Sequence, residues 1–256
     1  MRSLIVFTLK EFRESYRSGK ILFLGILFVV FGIMNPAIAK LTPWLLEILS
    51  DSLAESGMTV TEVQVDAITS WVQFFKNIPM ALIVFCLMYG GIFTKEYESG
   101  TLILVLTRGF SRYKVVIAKA FTMIFMWSMG YCICYFVTYG YNAYFWDNSV
   151  ALGLVPAVFN WWLFGVWVIS LMVLFSVVSG NTSGVLLGTG GVTLLSYLLS
   201  LIPKVKAYTP TNLMNTGLLL VGKEGSSDYL KSVIVALISI LIFIGLSVPL
   251  MKKKKL

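Results

Sequence analysis

The feature that most constrains this chain is a set of six long apolar runs with no charge near their middles. They lie at about residues 21–39, 78–94, 115–139, 157–178, 185–202 and 232–251. A helix needs roughly 20 mostly apolar residues to cross a bilayer. A charge at the centre of such a helix costs about 2.5–3.5 kcal/mol. Runs this long and this clean predict an all-α membrane protein with six transmembrane helices, built as a single domain over residues 1–256. Only 12% of the residues are charged and 58% are hydrophobic. Ordinary soluble domains carry about 25% charge, so that class is excluded. Lys119, near one end of the third run, is expected to snorkel its ammonium to the interface.

The first 20 residues are too charged for a cleavable leader. Ile5, Leu9, Phe12 and Tyr16 recur at helical spacing, and Lys10, Arg13, Glu14 and Arg17 occupy another face. Residues 1–20 therefore read as an amphipathic helix lying at the membrane interface and feeding the first span. If both termini are cytoplasmic, fourteen of the 20 basic residues fall inside and six outside. That asymmetry orients the chain. The basic run at 252–255 follows an apolar span directly, so it reads as a stop-transfer and headgroup anchor, not a nucleic-acid patch.

The segments between spans carry further signals. Residues 40–77 form a long external segment with two helical stripes. Thr42-Pro43 resembles a helix start, Gly57 breaks the pattern, and Thr59 with Glu62 has capping-box spacing. Two amphipathic helices are expected there as a hairpin, either forming a vestibule or resting on headgroups. The second external segment is aromatic, with Tyr141, Tyr144, Phe145 and Trp146 suited to an interface belt. The third holds Pro210 and an apolar stretch at 218–221, which suggests a re-entrant segment. Gly180, Gly184 and Gly188 make two small-xxx-small steps, suited to close helix packing within the bundle.

Candidate chemistry is sparse. There is no histidine, which removes histidine catalysis and histidine metal ligation. Three cysteines (Cys86, Cys132, Cys134) sit inside apolar runs and suggest neither a disulfide framework nor a zinc site. Residues 217–223 match the first seven positions of a phosphate-binding loop, but Glu224 stands where Ser or Thr is needed for magnesium. Its charge would repel phosphate, so no ATP or metal site is assigned to the chain. A secondary transporter would need ionisable groups within its spans, and none lies near a span's middle. A membrane enzyme would need a nucleophile paired with a base, and no such pair can be assigned.

The richest polar segment is residues 95–114. It carries Glu96 and Glu98, then Gly100-Thr101-Leu102, an apolar run, Ser111-Arg112 and, further on, Lys119. This pattern resembles the cytoplasmic signature of permease subunits of ABC type-2 exporters, although Phe110 stands where that family often has proline. The resemblance implies a coupling segment for a separate ATP-binding subunit, carried by Glu96, Glu98, Gly100, Thr101, Leu102, Ser111 and Arg112. It also implies that ATP and magnesium are bound by that partner, and that a second permease copy completes a homodimer or heterodimer in the cell membrane. The turn at 179–184 would be a smaller second contact. Within the chain, Glu96 and Glu98 are expected to pair with basic residues of the surface helix, such as Arg13 or Arg17. Phe23, Phe28, Phe31, Trp127, Trp161, Trp162 and Trp167 suggest an aromatic path for hydrophobic or amphipathic cargo such as a peptide, a lipid-linked molecule or a drug-like compound. The alternative is a stand-alone membrane immunity or receptor protein that binds an extracellular peptide through residues 40–77. The topology predicts that a cysteine placed at Ser56 reacts with an impermeant maleimide in intact cells. Labelling only after lysis would reverse the orientation.

Overall fold

A computed structural model describes residues 2–55, 65–107 and 110–253. Every regular element among them is helical. In chain order these are α1 (Arg2–Arg17), α2 (Lys20–Glu55), α3 (Ala67–Tyr89), α4 (Thr94–Glu98), α5 (Thr101–Thr107), α6 (Arg112–Phe145), α7 (Leu154–Val178), α8 (Thr182–Ser200), α9 (Pro203–Lys206), α10 (Gly217–Leu220) and α11 (Leu230–Lys253). Six helices are long and apolar enough to cross a membrane, and they contain the six apolar runs.

The first two spans are longer than the apolar runs suggest. No helix starts at Thr42. Instead α2 continues through Pro36 and Pro43 to Glu55. Proline removes a backbone donor, and the Gly32 carbonyl that Pro36 leaves without one accepts from the Thr138 hydroxyl of α6 at 3.0 Å. The expected hairpin is therefore an extension of α2 on one side. On the other, α3 begins at Ala67 with Asp66 as its N-cap, the carboxylate accepting from the Thr69 amide at 3.0 Å. The capping box of Thr59 and Glu62 lies outside the described residues.

The middle of the bundle is α7. It is apolar on every side and buried on nearly every side, which is why its sequence shows no helical stripe. It packs on α6, α8 and α11. In lipid, helices gain little from hydrophobic contact with one another, so close van der Waals packing holds them. Gly165 shows this: a Cβ there would stand 2.3 Å from the Trp127 ring. Gly188 likewise admits the Phe175 ring of α7, where a Cβ would stand at 2.4 Å. The small-residue steps thus serve packing inside the chain, except at Gly180, which has open space.

Among the aromatic residues, Phe28, Trp127, Trp161 and Trp167 are buried within the chain. Phe28 and Trp127 meet edge to face at 5.9 Å. Toward the far ends of α2 and α6, Asn35 donates to Thr138 at 3.1 Å and accepts from Asn77 at 2.8 Å, linking α2, α6 and α3. The segment after α8 folds inward: the 3-10 turn Pro210–Met214 is buried beside α7, α8 and α11. There the Thr211 hydroxyl donates to the Ser196 carbonyl at 3.0 Å, and the Asn212 amide to Ser232 at 3.1 Å.

Gly165→Ala tests the packing. Forcing a methyl against Trp127 should cost about 1–3 kcal/mol and lower the thermal unfolding midpoint in detergent. An unchanged midpoint would show that the α6–α7 contact is looser than described.

Candidate functional site

One end of the bundle gathers most of the described charge. There α3 ends, and the chain turns through α4 and α5 before entering α6. Gly100 separates the two short helices with φ +66, a left-handed conformation that L side chains rarely adopt. Space is not the constraint, since a Cβ at Gly100 would meet nothing within 4 Å. Ser111 has the extended backbone of an N-cap for α6, without a side-chain cap bond.

Glu96 does not pair with Arg13 or Arg17. Its Oε1 lies 2.7 Å from Lys10 Nζ of α1, and its Oε2 lies 3.0 Å from Lys119 Nζ of α6. The second contact is an ion pair without hydrogen-bond alignment. Lys119 also donates to Glu11 Oε2 at 2.9 Å and to the Ile92 carbonyl at 3.0 Å. Lys10 reaches Glu11 at 3.2 Å and Glu14 at 3.1 Å. The result is a closed network of two ammonium groups and three carboxylates. Its centre is dry: the Lys119 side chain is 1% exposed and that of Glu11 is 4% exposed. Lys119 therefore does not snorkel. It points into the protein, near the rings of Phe93 and Phe7.

The physical cause is pairing. A lone buried ammonium costs several kcal/mol, and only well-placed partners offset this. Half-burial pushes Lys10 down, but the hydrogen bond to Glu96 and the charge of Glu11 outweigh it. Its net shift is above the ordinary lysine range, so Lys10 is charged at neutral pH. Ligand oxygens of Glu11, Glu14 and Glu96 lie within 4.8 Å of one another, a spacing that can suit a metal ion. Here the Lys10 ammonium already lies within 3.2 Å of an oxygen of all three carboxylates, so no metal site is assigned.

The other residues of the segment divide by exposure. Leu102 is buried, whereas Glu98 and Thr101 face outward. Glu98 makes no ion pair among the described residues. Arg112 is structural: its Nη1 donates to the Met251 carbonyl at 2.7 Å and the Lys252 carbonyl at 2.9 Å. It thereby satisfies carbonyls in the last turn of α11 that have no intrahelical partner. The Thr94 and Thr182 hydroxyls lie 2.8 Å apart, joining this segment to the short turn before α8. In that turn Asn181 caps α8, its Oδ1 accepting from the Gly184 amide at 2.7 Å. Arg108 and Gly109 lie outside the described residues.

Four members of the network, Lys10, Glu11, Glu14 and Lys119, were not among the sequence-predicted site residues. One signal was available for Glu11. It falls four residues after Phe7 and four before Ser15, and all three are buried on one face of α1. The expected apolar stripe is instead largely exposed, at Ile5, Leu9 and Tyr16.

A second feature is an apolar cavity of about 470 Å³ between α3, α7, α8 and the Pro210–Met214 turn. Leu82, Cys86, Trp161, Phe164, Leu186 and Tyr197 contribute to its wall. The Thr189 hydroxyl and the Trp161 N–H are buried and have no hydrogen-bond partner among the described residues.

A helical bundle with six helices long and apolar enough to span a membrane, and its ionic network gathered at one end, defines a multi-pass membrane protein. The chain belongs to the ABC-2 family of transporter proteins: the model of that family, described as ABC-2 family transporter protein, matches residues 5–256. Membership implies partnership with an ABC ATP-binding subunit. Comparison with curated proteins and with solved structures returns no match.

Lys119→Met should lower stability by about 3–5 kcal/mol, because it breaks the buried pair with Glu11 and leaves Glu11 and Glu96 only the partly exposed Lys10. Combining it with Glu11→Leu should recover part of the loss, since that removes one buried carboxylate. Thermal unfolding in detergent is the measurement. Equal midpoints for wild type and Lys119→Met would remove the network from the list of structural supports.

Proposed function

We propose that this chain is the transmembrane subunit of an ATP-driven exporter, and that residues 95–114 dock a separate ATPase subunit on the cytoplasmic side. The observation that carries the reading is the two-sided construction of that segment. Glu96 anchors α4 to both α1 and α6, while Glu98 and Thr101 point away from the bundle. A segment held this firmly from behind can transmit a push from a partner at its front. The turn at 179–184 shares the Thr94–Thr182 contact and gives the ATPase a second, smaller place to bear.

Orientation rests on charge. Lys10, Arg13, Arg17, Lys95, Arg112 and Lys114 all belong to the end that carries α4 and α5, and basic residues gather on the cytoplasmic side of membrane proteins. Both termini are then cytoplasmic, and α1 lies at the inner interface with Ile5, Leu9 and Tyr16 toward lipid. ATP and magnesium are bound by the partner. Two permease copies, identical or related, line the path between them. The cavity beside α8 favours hydrophobic or amphipathic cargo, because its wall is apolar.

Co-purification from the native host in mild detergent, with nucleotide and lipid present, tests the reading. A soluble ATPase at about equal stoichiometry is expected. Glu98→Arg should reduce its retention and its stimulated ATP hydrolysis several-fold while leaving the unfolding midpoint unchanged. Repeated preparations without an ATPase would instead favour a stand-alone membrane binding protein.

A further inference from the structure

The helix that anchors the coupling segment has a second, unused side. Ile5, Leu9, Arg13 and Arg17 are spaced four residues apart, so they form one ridge along α1. The first half of the ridge is apolar and the second half is cationic. Ile5 is 58% exposed and Leu9 61% exposed. Arg13 and Arg17 are exposed and make no ion pair or hydrogen bond among the described residues. They stand one turn apart.

Beside the apolar half runs an open groove between α1 and α6, with a volume of about 390 Å³. Leu4, Ile5, Leu9 and Phe12 form one wall, and Ile117 and Phe121 form the other. The hydroxyl at its edge, Thr8, is spent on the Leu4 carbonyl at 3.0 Å. Nothing in this groove asks for a polar guest. The two arginines share a shallow depression with Lys10, Glu14 and Ser18. Glu14 is the carboxylate that faces an incoming anion there, and Lys10 holds it at 3.1 Å. The depression therefore offers cation to a ligand, and guanidinium groups grip phosphate through paired hydrogen bonds.

An oily groove joined along one ridge to a pair of unpaired guanidiniums matches one kind of molecule. We propose that α1 and α6 form a binding site for an anionic phospholipid, with one acyl chain in the groove and the phosphate headgroup on Arg13 and Arg17. The chemistry is that of an apolar chain covalently joined to a negative head. Neither half explains the other alone: a soluble anion would leave the groove empty, and a neutral lipid would leave the arginines bare. A second copy of the chain or a partner helix would satisfy the groove without needing the two cations. The site goes beyond the exporter reading and stands whether or not the segment docks an ATPase.

The test is native mass spectrometry of the full chain released from nanodiscs of mixed phosphatidylglycerol and phosphatidylcholine. Wild-type protein should retain phosphatidylglycerol preferentially, by about fivefold for each arginine. Arg13→Gln with Arg17→Gln should bring the two lipids to parity while retention of lipid persists. Both side chains are exposed and unpaired, so this variant should fold with an unchanged unfolding midpoint. Ile117→Trp, which fills the groove, should reduce retention of both lipids. Lys204→Gln with Lys206→Gln, far along the chain, should change neither result. Equal retention of the two lipids by wild type overturns the proposal. So does a preference that survives loss of both arginines. Displacement of bound lipid by inorganic phosphate alone would show a free-anion site, which also overturns it. A groove filled by a second copy would appear as dimers that lose lipid signal and are broken by Ile117→Trp.

Discussion

Lys119 is the residue on which the charged end depends. Its ammonium lies inside the protein, where water cannot stabilise it, and it must be met by carboxylates. Two arrive from different places, Glu11 from α1 and Glu96 from α4. Each carboxylate is held in turn by Lys10. Loss of Lys119 would leave Glu11 and Glu96 to share Lys10, and loss of Glu11 or Glu96 would leave the buried Lys119 a single carboxylate. The first helix, the short coupling helix and the third span therefore behave as one body. Such a network contributes less to net stability than to the choice of one arrangement over others, because desolvation cancels much of the attraction.

The rest of the bundle is held differently. Along α7 the contacts are apolar and shaped by size, as where Gly165 receives the Trp127 ring. Buried hydrogen bonds add orientation at the end away from the coupling segment, through Asn35, Asn77 and Thr138. The sixth span is tied back by Arg112, whose guanidinium closes the last turn of α11. Large aliphatic side chains on α8 and α11 are left outward, as expected of surfaces that meet lipid or another membrane helix. The division is consistent: ionic bonds govern the end that carries α4 and α5, and steric fit governs the apolar body of the bundle.

This construction gives the exporter reading its physical content. A coupling segment must be stiff toward the membrane helices and open toward its partner. Glu96 and Leu102 supply the first property, and Glu98 and Thr101 the second. Gly100 lets the chain turn between them without strain. The Thr94–Thr182 contact draws the turn before α8 into the same unit, so a displacement at α4 reaches the fifth span as well as α1 and the third span.

Much of this was readable in the sequence, and the reasons are general. Bilayer thickness demands long apolar runs, so the six spans were visible in composition alone. Charge asymmetry and the Glu96–Arg112 pattern pointed to the end of interest, because polar residues are scarce here and stand out. What the sequence left undecided was which charges meet. Lys119 is close enough to a span end to snorkel, and the sequence offers Arg13 and Arg17 to Glu96 on equal terms with Lys10. The choice was made by packing, since α1 turns Phe7, Glu11 and Ser15 inward and leaves both arginines outside. The same holds for α2, where Thr42-Pro43 reads as a start and the fold carries the helix straight through. Local signals state what a segment can do, and burial against distant neighbours decides which of those options is used. For this protein the sequence determined the number of spans and the location of the chemistry. The tertiary structure alone decided the partners of each buried charge, because only the packed helices set the distances at which desolvation is repaid.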